Sequence, residues 1–284
     1  MKLFGVPLGG IDKQYSRGEF YPGAFQFFFE LSKFNQKSSK NPIPRVAVLT
    51  ARARELLFVL ALKPTDKLCS TFSRIGKENG VDDWGVAQEH VYYGSVVEWV
   101  LSERKGLRKF MNFDLMISSE ENKSGDKPNY IFIGDTGERD EDAGERIIRK
   151  HGKSTIKAVF LHAVTDKKDR SKLRVPEDRV YRGVPIYYFR TYVGAAGKAC
   201  KQGLINQSGL LRVVDAARED VEIKEKAKLK PTALLKGGYP FDKDIKASRR
   251  SELESDIAMA LKLNGKTKAK DTPIGVPAFM NFRI

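Results

Sequence analysis

Apolar residues run along this chain in two rhythms. Short, nearly unbroken runs of β-branched and aromatic residues occur at Arg45–Leu49 (RVAVL), Asn129–Ile133 (NYIFI), Ile156–Val164 (IKAVFLHAV) and Val184–Arg190 (VPIYYFR). Runs of this kind are expected of strands buried on both faces. Between them the spacing lengthens to that of helices, predicted over Arg54–Leu62, Gly94–Ser118, Asp140–Lys150 and Val193–Gly203. Nearer the N-terminus, Gly9, Gly10, Gly18 and Gly23 mark loops, and Pro22 suits the first turn of a helix. Phe25, Phe28, Phe29 and Leu31 give that helix an apolar face, and Gln36–Asn41 reads as a polar linker. Strands alternating with helices predict a doubly wound, mostly parallel α/β sheet covered on both faces.

From about Asp215 the pattern changes. Asp220–Lys230 is a highly charged helix candidate, Pro240–Asp242 a turn, and Arg249–Leu263 an amphipathic helix. Beyond Gly265 the chain is Lys-rich and then Pro/Gly-rich. The expected division is an α/β domain over 1–212, an α-helical C-terminal extension over 213–264 and a mobile basic tail over 265–284.

Composition narrows the class. The 284 residues are 41% hydrophobic and 31% charged, an ordinary balance for a protein with a packed core. The longest apolar run, Leu56–Leu62, is far short of the ~20 residues of a membrane span. Met1–Phe4 leads into Gly and Pro rather than a secretory signal. Cys69 and Cys200 stand alone, with neither metal nor disulfide spacing, which suits packing residues in a reducing, cytoplasmic compartment. The net charge of +15 is unevenly spread, with fifteen Lys/Arg against five Asp/Glu over Glu145–Lys201. Such a surface attracts phosphate-bearing partners, nucleic acid or anionic membrane, and equally serves plain solvation.

The candidate chemistry lies in NYIFIGDTGERDEDAGER, Asn129–Arg146. Gly134 turns the chain after a strand and leaves Asp135 at its carboxyl end, with Asp140 five residues on. Ligands of open α/β sheets bind at the carboxyl ends of strands where strand order reverses. Two carboxylates there suit Mg²⁺ in phosphoryl chemistry, although acidic residues also simply favour a helix start. Thr50, at another strand end, could donate to a phosphoryl oxygen or cap the following helix. Lys105, within SERKGLRK, could neutralise phosphate or be solvated. Asp142 with Arg146, and Glu145 with Arg149, have the spacing of surface helix pairs. His90, His151 and His162 form no catalytic set, and His162 reads as a core residue.

The ordered segments VAVLTARARELL, YGSVVEWVLSERKGLRK, YIFIGDTGERDEDAGERI, IKAVFLHAV and GVPIYYFRTYVGAAGKACKQGLI resemble the phosphatidate phosphatase catalytic-domain family of the haloacid dehalogenase-like superfamily. The likeness covers roughly Gly5–Ile205, and GDTGERD, similar to that family's acidic motif, is its most specific piece. LGGIDKQYSRGEFYPGAFQF is similar to the segment that follows the nucleophile motif in eukaryotic members. The resemblance implies a Rossmann-type fold. Thr50 would orient the phosphoryl group, Lys105 (or, with helix register open, Lys109) would be the phosphate-binding cation, and Asp135 and Asp140 would serve Mg²⁺. It further implies hydrolysis of phosphatidate to diacylglycerol and phosphate, with the basic surface docked peripherally on anionic phospholipid.

The sequence departs from that family at its nucleophile. The superfamily attacks phosphate with the first Asp of an Asp-x-Asp motif on the first strand, and no such strand precedes Gly5. Asp242-Lys243-Asp244, Asp140-Glu141-Asp142 and Asp12 are in the wrong context to replace it. The chain therefore reads as a haloacid dehalogenase-like catalytic domain with its first strand missing, and the neighbours of that strand are expected to show bare edges. A second reading is a catalytically inactive, phospholipid- or partner-binding relic. A third, a nucleic-acid phosphatase or binder, has charge in its favour and no supporting motif.

Overall fold

A computed structural model describes residues 2–3, 6–7, 15, 19–34, 42–53, 61–94, 105–124, 129–137, 139–164, 175–228, 243–264 and 278–280. Strands β1 (Lys2–Leu3) and β2 (Val6–Pro7) pair with each other. The main sheet has seven strands: β3 (Val46–Ala53), β4 (Val86–Gly94), β5 (Tyr130–Asp135), β6 (Ile156–His162), β7 (Arg179–Tyr181), β8 (Val184–Phe189) and β9 (Ala278–Met280). Their order across the sheet is β4-β3-β9-β5-β6-β8-β7. Every pairing is parallel except that of β7 with β8.

The seven described helices are α1 (Ala24–Phe34), α2 (Lys67–Glu78), α3 (Lys105–Ser124), α4 (Asp140–Thr155), α5 (Tyr192–Lys201), α6 (Gln207–Lys228) and α7 (Lys243–Asn264). They cover both faces of the sheet. On one face Phe27, Phe28, Phe72, Val193, Ala196, Leu210 and Val213 pack onto Val48, Ile133 and Phe160. On the other, Phe113, Met116, Ala143 and Ile147 of α3 and α4 pack onto Leu49, Phe132 and Leu161. Alternate strand residues thus feed the two cores, the pattern of a sheet buried on both sides. The expected mixed α/β fold with a predominantly parallel sheet is what the chain adopts.

Several elements differ from expectation. Gly94 ends a strand instead of opening a helix. The edge position of β4 explains why Gln88–Tyr93 carries polar, partly exposed residues and lacks an apolar run. Leu62 lies outside any helix, and 54–60, where that helix was expected, fall outside the described residues. Helix α2, unanticipated, buries Leu68, Phe72 and Ile75 at helical spacing.

The proposed boundary at 212/213 falls inside α6, which buries Leu210, Val213, Val214 and Ala217 in the main core. That i, i+3, i+4, i+7 stripe outweighs the charge that follows it. Leu253 and Ala260 of α7 join the same core. Residues 265–277 and 281–284 of the expected tail lie outside the described residues, but 278–280 are a central strand. The edges of β3 and β5 expected to be bare are paired: Val48 and Ile133 both register with Met280 of β9.

Candidate functional site

From β3 the chain moves outward to β4, whereas from β5 it moves the other way to β6 and β8. The reversal lies between β3 and β5, and the carboxyl ends of strands at such a point form the ligand crevice of open α/β sheets. Because Val48 and Ile133 stand level across β9, Thr50 and Asp135, each two residues further on, also stand level. Two strand spacings separate them, about 10 Å. Thr50 is buried. Asp135 is half-buried beside His162 of β6.

Asp140 is the first residue of α4, and its buried side chain turns back toward the strand. Its Oδ2 accepts the Asp135 N–H at 2.9 Å, and its Oδ1 pairs with Lys109 Nζ. Gly134 permits this return, because a Cβ there would stand 2.6 Å from the Asp140 side chain. Gly106 plays the same part for α3, where a Cβ would meet Asp142 Oδ2 at 2.4 Å. Two glycines thus let the starts of α3 and α4 close up and bring Lys109 to Asp140. Of the two candidate lysines, Lys109 therefore makes the carboxylate contact. Lys105, one turn earlier, lines a cleft of about 470 Å³ with Thr136, Gly137 and Arg139.

The three acidic side chains along that cleft are each tied to an arginine. Asp142 pairs with Arg146 at 3.0 Å, as its spacing suggested. Glu145 pairs with Arg179 at 2.5 Å rather than with Arg149, because β7 brings Arg179 over the first turns of α4. The same guanidinium reaches Glu141 at 2.7 Å. Hydrogen bonds to Tyr188, Glu141 and Glu145 hold Arg179 above its ordinary pKa against the desolvation that opposes them. The three carboxylates share two guanidiniums, and Lys105 and Arg139 stand on the same walls. Asp135 Oδ1 accepts the Gly137 N–H at 2.7 Å, so the loop after β5 is ordered around its own carboxylate.

On the other side of Asp135 stand aromatic residues that the sequence did not single out. Burial, then the nearby Asp135 charge, then Tyr15, push the Tyr192 phenol far above its ordinary value. Tyr21 meets His162 edge-on at 4.4 Å, and His162 stacks on Phe189 at 5.1 Å. His162 Nε2 lies 2.9 Å from the Arg190 carbonyl, so this histidine is a packed core residue with a backbone partner. The placement of Tyr192 directly after the β8 run was the available signal, since it puts that side chain at a strand's carboxyl end. Neither cysteine is placed for nucleophilic attack: Cys69 is buried, and burial raises the Cys200 thiol.

The described residues bring Asp135 and Asp140 together through the Asp135 N–H. They contain no cluster of three or more His, Cys, Asp or Glu side chains able to hold a metal. Asp140, expected as one of two ligands, has one oxygen on an ammonium and the other on a backbone N–H, leaving Asp135 as the reachable carboxylate. Octahedral Mg²⁺ keeps several waters and takes one or two carboxylates beside substrate oxygens, so Asp135 would be the direct ligand and Asp140 would act through water. The central slot between β3 and β5 is held by Ala278–Met280, which brings no carboxylate.

No family model, curated protein or solved structure matches the chain. The chain is a mixed α/β protein with a parallel-dominated sheet, compatible with a Rossmann-like fold, and has a polar cleft beside the carboxyl end of β5. Among the described residues no helix is long and apolar enough to cross a membrane.

Proposed function

We propose that the chain binds a phosphate monoester at the carboxyl ends of β3 and β5, in the manner of the haloacid dehalogenase-like phosphatidate phosphatases it resembles. The observation that carries this reading is the Asp135–Asp140–Lys109 arrangement, level with Thr50 at the switch point. Thr50 would donate its hydroxyl to a phosphoryl oxygen. Lys105 and Arg139, on the cleft wall, would supply the charge, while Lys109 holds Asp140 and through it the turn that presents Asp135. The net charge of +15 favours an ester displayed on an anionic membrane, phosphatidate above all.

In the hydrolytic form of this reading the protein releases phosphate from phosphatidate. That reaction needs a carboxylate nucleophile in the central slot, and β9 there offers Ala278, Phe279 and Met280. This observation favours the second form, in which the same crevice recognises the headgroup without turnover. Titration calorimetry with a soluble short-chain phosphatidate, with and without Mg²⁺, tests the binding. We expect saturable binding that Thr50→Val weakens by roughly ten-fold, the worth of one charge-assisted hydrogen bond. Absence of binding, or binding indifferent to Thr50→Val, would refute the reading. Phosphate release that depends on Asp135 would select the hydrolytic form.

A further inference from the structure

Helix α3 faces the sheet with Phe113, Met116 and Ile117, yet it is also apolar on the opposite side. There Leu107 is 40% exposed, Met111 47% and Leu115 57%. Residues four apart lie one above another on a helix, so the three form a single ridge about 12 Å long. A surface helix ordinarily turns polar residues outward at those positions. None of the three belongs to either core cluster, and a contiguous exposed apolar ridge marks an interaction surface.

Cations stand beside the ridge. Arg108 flanks it on α3. Helix α4 covers the same face of the sheet, and beyond its acidic first turns it exposes Arg149 and Lys150. The one acidic residue of α3 over 105–119, Asp114, is held by Lys150 at 2.6 Å. Leucine and methionine side chains between lysines and arginines match the boundary of an anionic bilayer. The apolar ridge enters the acyl region and the cations meet lipid headgroups.

We propose that the outer face of α3 docks this protein on an anionic lipid bilayer. The docking itself is independent of what the crevice binds.

Co-sedimentation of the whole chain with vesicles tests this, using phosphatidylcholine alone or with about 30% phosphatidylserine, a lipid with no phosphate monoester. We expect binding to the anionic vesicles that weakens as salt rises, and little binding to phosphatidylcholine. Leu107→Gln/Met111→Gln/Leu115→Gln should lower vesicle affinity by roughly ten-fold or more, with circular dichroism and urea midpoint unchanged. Thr50→Val should bind these vesicles as the wild type does, which separates this surface from the crevice. A triple variant that binds like the wild type would overturn the proposal, as would a wild type that ignores anionic vesicles. Concentration-dependent dimerisation abolished by the triple variant would assign the ridge to a second copy and also overturn it.

Discussion

Lys109→Met is the most severe single-charge change this site offers. Lys109 is 2% exposed and Asp140 fully buried, so the pair is shut off from water. Methionine keeps the length of the side chain and removes the ammonium. Asp140 would then be a buried carboxylate without its ammonium, while the Asp135 N–H still donates to it. Removing one partner of a buried ion pair costs about 3–5 kcal/mol, against a total stability of about 5–15 kcal/mol. By contrast, the partly exposed Asp142–Arg146 pair on the same helix should lose only about 0.3–0.5 kcal/mol on Arg146→Met.

Urea unfolding at neutral pH measures both, and comparable slopes would show that the two denatured states expose similar surface. Lys109→Met/Asp140→Asn removes both charges and leaves an amide oxygen for the Asp135 N–H. The double variant should therefore be more stable than Lys109→Met alone, with a coupling energy above about 1 kcal/mol. A Lys109→Met cost below about 1 kcal/mol, or strictly additive losses in the double variant, would refute the claim that this pair is buried and mutually required.

Other perturbations reach the same end of the fold. Burial raises the Asp256 carboxyl, opposed by its hydrogen bond from Thr191 and by Lys198. The folded chain then keeps a proton that the unfolded chain has lost, so this group's contribution to stability grows as pH falls from its folded value toward 3.8. Asp256→Asn should remove that component, and a unit slope unchanged between wild type and variant in pH-dependent unfolding would contradict it. Gly134→Ala would place a methyl 2.6 Å from Asp140, and it should destabilise by about 1–3 kcal/mol or more in thermal unfolding. Phe279→Pro removes a backbone donor from a strand paired on both sides. Hydrogen exchange at Val48 and Ile133 should accelerate while that at Phe160, in β6, stays slow; equal protection in both would mean β9 does not hold the slot.

Much of the site was legible because it is local. Gly134, Asp135 and Asp140 lie within one strand-turn-helix unit, where an apolar run, a glycine and an acidic first turn each signal their own conformation. Helix α2 was legible in principle from Leu68, Phe72 and Ile75, but it follows a run, Leu56–Leu62, whose hydrophobicity masks the start of the periodicity. The choice between Lys105 and Lys109 was not legible. Both lie on the same helix one turn apart, and only the approach of α3 to α4 at Gly106 decides which amine meets Asp140.

By itself, the sequence determined the four apolar strand runs, several of the turns and a net charge of +15, since these follow from local side-chain chemistry. The tertiary structure alone decided the rest. It put Ala278–Met280 between β3 and β5, replaced the i,i+4 partner of Glu145 with Arg179 from a distant strand, and turned the apolar ridge of α3 outward. Each of these depends on which surfaces remain uncovered once every other element has packed. Backbone pairing and ion pairing are satisfied by any partner of suitable geometry, so proximity in the fold, not proximity along the chain, selects them.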